Sequence, residues 1–246
     1  MTFLEHTAEY YEELFPVSES QKNFFRELGK QYAKPAKLLS IGCGTGEAEH
    51  FFCREGWDVT GLEAIKEFIR IATLRRRTQL MAIRYFELST TEMSKFLGKS
   101  FYNVISCINS RIAFMREKDV VKNFFVDCVA LLAMNGTLVL ELYNFKKLLE
   151  TGTTEITPRG SMRVKMYSYM TRAKDGTILL NRKIEKNHSH VLPVIENEII
   201  YPLTKDEIVE FATSAGFTKI DFYNSFARDA FSETNERFVC VISKTN

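Results

Sequence analysis

The sequence predicts an α/β fold, a mostly parallel sheet with helices on both faces and an inserted antiparallel β segment. Three observations predict it. Short apolar runs alternate with helix-period segments from Lys37 to Leu142, the order that parallel βαβ units produce. The first of those runs stops at a glycine cluster, Gly42-Cys43-Gly44-Thr45-Gly46, which opens directly into a helical pattern. Between Thr153 and Tyr201 the apolar period falls to two, as in strands with one covered face.

Taken in order, Ala8 to Leu14 reads as a short amphipathic helix ending before Pro16. Ser18 and Gln21 stand at capping-box spacing, and Phe24, Phe25 and Leu28 recur at helical intervals. A second helix is therefore expected from about Glu19 to Tyr32, closed by Pro35. Residues 1–34 form an N-terminal helical segment on this reading. Lys37 to Ile41 is a buried parallel strand, and Glu47 to Glu55 a helix with Gly56 placed to end it. Trp57–Leu62, Ala82–Phe86 and Tyr102–Cys107 are the next strands, with a helix over Ala64–Arg77. Glu117 to Met134 is a helix, Asn135-Gly136 a turn and Thr137–Leu142 a fifth strand. Asp175-Gly176 is a strong hairpin signal inside the segment 152–201, which reads as two or three antiparallel strands. Thr204 and Glu207 have capping-box spacing for a helix that ends at Gly216, and Phe217–Tyr223 and Arg237–Ser243 are the last strands. No repeat or linker separates a second domain, so 1–246 reads as one domain with an insert.

Composition narrows the function. The 246 residues carry a net charge of +2, far from the basic stripe expected of a chain that neutralises many phosphates. The one dense basic run, Arg75-Arg76-Arg77, lies at a helix end, where cations are favourable or simply solvated. Nucleic acid is thus disfavoured as a partner. Five scattered cysteines without a Cys-x-x-Cys pair fit neither a disulfide framework nor a zinc site. His188 and His190 would share a strand face, but such a pair lacks a third metal ligand. The N-terminus shows no secretory pattern, and the apolar stretch Val126–Tyr143 is broken by Asp127 and Asn135-Gly136. The expectation is a cytoplasmic protein with no membrane span and no metal.

The chemistry is concentrated at Leu38-Leu39-Ser40-Ile41-Gly42-Cys43-Gly44-Thr45-Gly46-Glu47. Glycines at a strand–helix junction let the backbone approach a ligand, and the helix N-terminus adds free N–H groups. Glu63 ends the following strand, where a carboxylate can accept hydrogen bonds from both ribose hydroxyls of a nucleoside. A plain tight turn and a helix-capping glutamate are the alternatives.

Strand, glycines and acid in this order resemble the class I S-adenosylmethionine-dependent methyltransferases of the small-molecule type. The resemblance implies a Rossmann-like seven-stranded sheet whose bound cofactor is S-adenosylmethionine, with S-adenosylhomocysteine as product. It implies that Gly42, Gly44 and Gly46, with Ile41 and Cys43, flank the methionine part. Glu63 would hold the ribose, with Ala64, Leu88 and Ser89 around the adenine. Ser89 stands where the family often has Asp. Cys107, Asn109 and Ser110 fall beside the sulfonium, where Ile108 replaces a common Gly and Ala113 a common His. Ser214-Ala215-Gly216-Phe217 resembles the segment before the family's sixth strand, and the last two strands resemble its closing antiparallel pair. Tyr10-Tyr11-Glu12-Glu13-Leu14-Phe15 is similar to an N-terminal segment whose tyrosine, here Tyr11, closes over the cofactor.

The acceptor is expected to be a small molecule, an amine ahead of an oxygen nucleophile, taken by a monomer or homodimer. Methyl transfer needs placement of a nucleophile more than a catalytic triad. Substrate-side candidates are Asn109 and Arg111 after the fourth strand and Tyr143 and Asn144 after the fifth, at the carboxyl ends where ligands of such sheets bind. Met162, Met166, Tyr167, Tyr169 and Met170 of the insert either line a pocket or bury the insert against the main sheet. A nicotinamide enzyme is disfavoured by Glu47 in place of a third motif glycine. A non-enzymatic binding or assembly module on the same fold stays open.

Overall fold

The computed structural model describes residues 3–78, 80–187 and 190–244. Its main sheet has seven strands: β1 Lys37–Ile41, β2 Asp58–Glu63, β3 Ile83–Glu87, β4 Tyr102–Cys107, β5 Leu132–Tyr143, β10 Lys219–Tyr223 and β11 Arg237–Ser243. Their order is β10-β11-β5-β4-β1-β2-β3, and β11 alone runs against its neighbours β5 and β10. The remaining pairs are parallel. The chain winds outward from β1 to β3 and then returns to β4 on the other side of β1. Such a reversal opens a crevice at the carboxyl ends of β1 and β4.

Alternating side chains build a core on each face, as the two-residue period of a strand requires. Leu39, Ile41, Ile105, Cys107, Leu138 and Leu140 pack on one side with helices α6 Lys118–Leu131 and α8 Lys205–Ala215. Leu38, Val59, Val104 and Val139 pack on the other with α2 Glu19–Gly29 and α3 Glu47–Arg54. Helix α4 Lys66–Arg76 adds Phe68 and Ile71 beneath Tyr11. Ser18 caps α2 by accepting from the Gln21 N–H, and Thr204 with Glu207 forms the full capping box of α8.

The insert is a separate sheet of four antiparallel strands, β6 Thr153–Gly160, β7 Val164–Arg172, β8 Ile178–Lys186 and β9 His190–Ile200. The expected count of two or three was short by β6, whose sequence TTEITPRG has little apolar alternation and holds its place by pairing with β7. One face of this sheet buries Val164, Met166 and Ile184 against Leu14. It also buries Met170, Ile178 and Leu180 against Tyr143 and Phe145. Met162 and Tyr169 are exposed, and the half-buried Tyr167 donates its hydroxyl to Glu185. The alternation of β7 places Tyr167 and Tyr169 on the outer side, and Met162 is exposed in the turn between β6 and β7, so none of the three packs on the buried face.

Other boundaries moved for local reasons. Residues Phe3–Tyr10 form tight 3-10 turns that pass into a single α turn, α1 Tyr11–Leu14. Helix α6 ends at Leu131, and Asn135-Gly136 lies inside β5 as an irregularity, with Asn135 at φ 59°. Arg76 of the basic run turns inward to pair with Glu12 at 2.6 Å, whereas Arg75 and Arg77 are exposed. His188 lies outside the described residues, and the His190 side chain is exposed. Among the described residues no helix is long and apolar enough to cross a membrane.

Candidate functional site

The glycine segment leaves β1 and leans over β2. The N–H groups of Gly42 and Cys43 both donate to the Leu62 carbonyl, at 2.8 and 3.0 Å, and Gly46 at φ 79° caps α3. Gly42 and Gly44 have φ values of 74° and 56°, a region that costs an L side chain about 1–2 kcal/mol. Space is the stronger constraint. A Cβ on Gly44 would meet the Tyr11 ring at 2.3 Å, and one on Gly42 would meet the Arg111 side chain at 2.7 Å. Tyr11 and Arg111 thus lie directly on the loop, joined by a 2.8 Å hydrogen bond from the guanidinium to the phenol oxygen.

Glu63 faces the same space from the end of β2. Its carboxylate accepts from the N–H groups of Gly44 at 3.1 Å, Ala64 at 2.9 Å and Ile65 at 3.1 Å. Those bonds lock the glycine loop to the turn before α4, while a carboxylate keeps lone-pair capacity for further donors. Arg111 stands 4.0 Å from the same carboxylate. Burial works against the Arg111 charge, but Tyr11 and Glu63 more than offset it and raise its pKa. Its Nε is buried with no partner among the described residues.

Glu63 and Arg111 border a cleft of about 520 Å³, within the usual range of small-molecule sites, roughly 300–1,000 Å³. Ile41, Gly42, Glu63, Ala64, Leu88, Ser89, Cys107 and Arg111 line it. It sits at the carboxyl ends of β1, β2 and β4, and Arg182 of β8 and Glu198 of β9 border it from the insert. Ser89 accepts from the Thr91 N–H at 3.4 Å and starts a 3-10 turn at the cleft edge. Burial pushes the Cys107 thiol up to about 12 and raises Cys43 well above the ordinary value. Both are neutral thiols, and Cys43 points into the core beneath the sheet. Gly46 is covered by Tyr85 on that same side.

The turn after β4 is held by β5. Asn109 and Ser110 both have φ 57°. The Asn109 N–H donates to the Glu141 carboxylate at 2.6 Å and the Ser110 N–H to the Glu141 carbonyl at 2.9 Å. The Ser110 hydroxyl is fully buried and accepts from the Tyr143 N–H at 2.9 Å; it anchors the turn instead of facing the cleft. Asn144 also stands apart from the cleft, donating to the Glu233 carbonyl at 2.7 Å.

Tyr143 and Asn109 meet a group of charges from distant parts of the chain. Arg182 donates to the Tyr143 hydroxyl at 3.3 Å, Arg237 lies 4.0 Å over its ring, and Arg159 donates to Asn109 Oδ1 at 3.3 Å. Burial alone would raise the Tyr143 phenol, but Arg182, Arg237 and Arg159 override it and its pKa is lowered. Glu141, Arg159, Arg182 and Arg237 were not among the residues singled out from the sequence. Glu141 did carry a signal, as a lone charge in the apolar run Leu138-Val139-Leu140-Glu141-Leu142.

Residues 39–140, which hold the glycine loop, Glu63 and the turn after β4, match the family model described as a methyltransferase domain. That segment matches as a methyltransferase domain, and the chain has the fold of S-adenosylmethionine-dependent methyltransferases. The whole chain is similar to a candidate methyltransferase of Geobacillus sp. (strain WCH70), 23% identical over 99% of this chain and all of that one. Its fold is that of the CcbJ methyltransferase from Streptomyces caelestis, with a TM-score of 0.81 at 16% identity over 100% and 99% of the two chains. It is also that of CalS10 from Micromonospora echinaspora, described as a SAM-bound amino pentose methyltransferase. There the TM-score is 0.66 at 18% identity, over 92% and 90% of the chains. S-adenosylmethionine is the cofactor of this kind of domain, and Glu63 with the glycine loop at the cleft are the candidate groups to hold it.

Proposed function

We propose that this chain transfers the methyl group of S-adenosylmethionine to a nitrogen or oxygen atom of a small-molecule acceptor. The observation that carries the reading is the Glu63 carboxylate, locked against the glycine loop at the chain-reversal crevice and lining a cleft bordered by the insert. A cleft bounded by two sheets admits a compact acceptor more readily than a polymer. The cofactor supplies a methyl group already activated on a sulfonium.

In this reading Glu63 accepts the ribose hydroxyls, and Ala64, Leu88 and Ser89 flank the adenine. Ile41 and Gly42 with Gly44 bound the methionine part, over which Tyr11 closes. Arg111, charged and with an Nε that has no partner among the described residues, takes an anionic group at that end of the cleft. Asn109 and Tyr143 stand on the acceptor side. The buried surroundings exclude water and hold the nucleophile close to the methyl carbon, which is most of what an in-line displacement asks of a protein.

The test is formation of S-adenosylhomocysteine, followed by mass spectrometry, across a panel of amines, phenols and hydroxy acids. Acceptor-dependent turnover supports the reading. Cofactor binding with no turnover on the panel favours the alternative of a binding module on this fold.

A further inference from the structure

The charges around Tyr143 do not balance. Arg237 has carboxylate partners, Glu141 at 2.5 Å and Glu236 at 3.9 Å. Arg159 and Arg182 have none within ion-pairing distance among the described residues; their polar contacts are the neutral Asn109 and Tyr143. Their guanidinium carbons lie 5.6 and 6.0 Å from the same Phe15 ring, and both charges act on Tyr143. Arg182 is 7% exposed, and its Nε is buried without a partner among the described residues. A buried cation without a counter-charge is costly unless a ligand completes it. Burial lowers the pKa of both arginines, consistent with two guanidiniums waiting on an anion.

Position gives this charge a use. Arg182 also lines the cofactor cleft, so a group held there opens onto the cofactor side of the site. Asn109, to which Arg159 donates, belongs to the turn that follows β4. Resting on the methyl-transfer reading above, we propose that the acceptor carries an oxyanion, a carboxylate or phosphate, which docks between Arg159 and Arg182 beside Tyr143. Planar guanidiniums suit both oxyanions. The arrangement selects acidic acceptors over their neutral analogues and fixes the end of the acceptor remote from the nucleophile.

The experiment uses the intact chain saturated with S-adenosylhomocysteine and titrated calorimetrically with benzoate, phenyl phosphate and neutral benzamide. The expected result is binding of at least one anion, about tenfold or more tighter than benzamide. Arg159→Gln and Arg182→Gln each weaken the anion about tenfold, while the Lys variants recover part of the loss. The cofactor product binds the Arg159→Gln variant as it binds wild type. A second readout is the ultraviolet titration of the Tyr143 phenol, isolated by difference from Tyr143→Phe. Bound anion neutralises the guanidiniums and moves that titration upward. Benzoate and phenyl phosphate are distinguished by which binds more tightly. Equal binding of anions and benzamide, or anion binding unchanged in the double Gln variant, overturns the proposal. The anion titrations are repeated without S-adenosylhomocysteine, so a failure of cofactor binding is read separately from a failure of the anion site.

Discussion

Glu49, in the first turn of α3 beneath the glycine loop, gives the sharpest consequence for stability. It is 3% exposed; one oxygen accepts the Ser40 hydroxyl at 2.5 Å, and the other is buried without a partner among the described residues. Burial outweighs the Ser40 and backbone hydrogen bonds, and with Glu63 and Glu47 nearby it raises the carboxyl from 4.5 to about 7. A raised value sets the sign: the contribution to stability is full below the unfolded value and is lost as pH rises through the folded one. The span between 4.5 and about 7 corresponds to about 3 kcal/mol. About 2.5 kcal/mol of that falls between about pH 5 and about pH 8. Glu49→Gln keeps an oxygen for Ser40 and removes the titration. Urea unfolding of both proteins at those two pH values should show the variant gaining about 2.5 kcal/mol on wild type as pH rises. Parallel pH dependences would refute the reasoning, because every other titrating group is common to the two proteins.

Three further outcomes follow from the geometry. Gly44→Ala puts a Cβ 2.3 Å from the Tyr11 ring at φ 56°, so it should unseat Tyr11 and weaken S-adenosylhomocysteine about tenfold or more; calorimetry checks the affinity and limited proteolysis checks the N-terminal segment. Glu141→Ala removes the 2.5 Å partner of Arg237 and the acceptor that holds the Asn109 N–H, and should cost about 3–5 kcal/mol in urea unfolding. Thr204→Ala breaks the capping box of α8, costing about 1 kcal/mol without changing cofactor affinity.

Legibility in the sequence followed the range of the interactions. The glycine loop and Glu63 could be read because the constraint is local: a strand end, a left-handed turn and a helix start follow one another directly. The caps at Ser18 and Thr204 were legible for the same reason. Strand β6 was not, because it is held by its ladder with β7 and has little periodicity of its own. The arginine cluster around Tyr143 was hidden further still. Arg159, Arg182 and Arg237 come from β6, β8 and β11, and nothing short of the packed insert shows that they converge on Tyr143. Asn144 and Ser110 lie where the strand ends place them, but their side chains are spent on holding loops. That choice is made by tertiary hydrogen bonding, which residue type alone does not reveal.

The most direct test of the account is calorimetric binding of S-adenosylmethionine and S-adenosylhomocysteine to wild type and to Glu63→Gln, with folding of both checked by circular dichroism. An amide at this position can no longer accept on both sides, and hydrogen bonds to a charged group carry about 1.5–3 kcal/mol each. Wild type should bind both compounds, and the folded variant should lose about tenfold to a hundredfold in affinity. Equal affinity in the two proteins, or no binding by wild type, would contradict it.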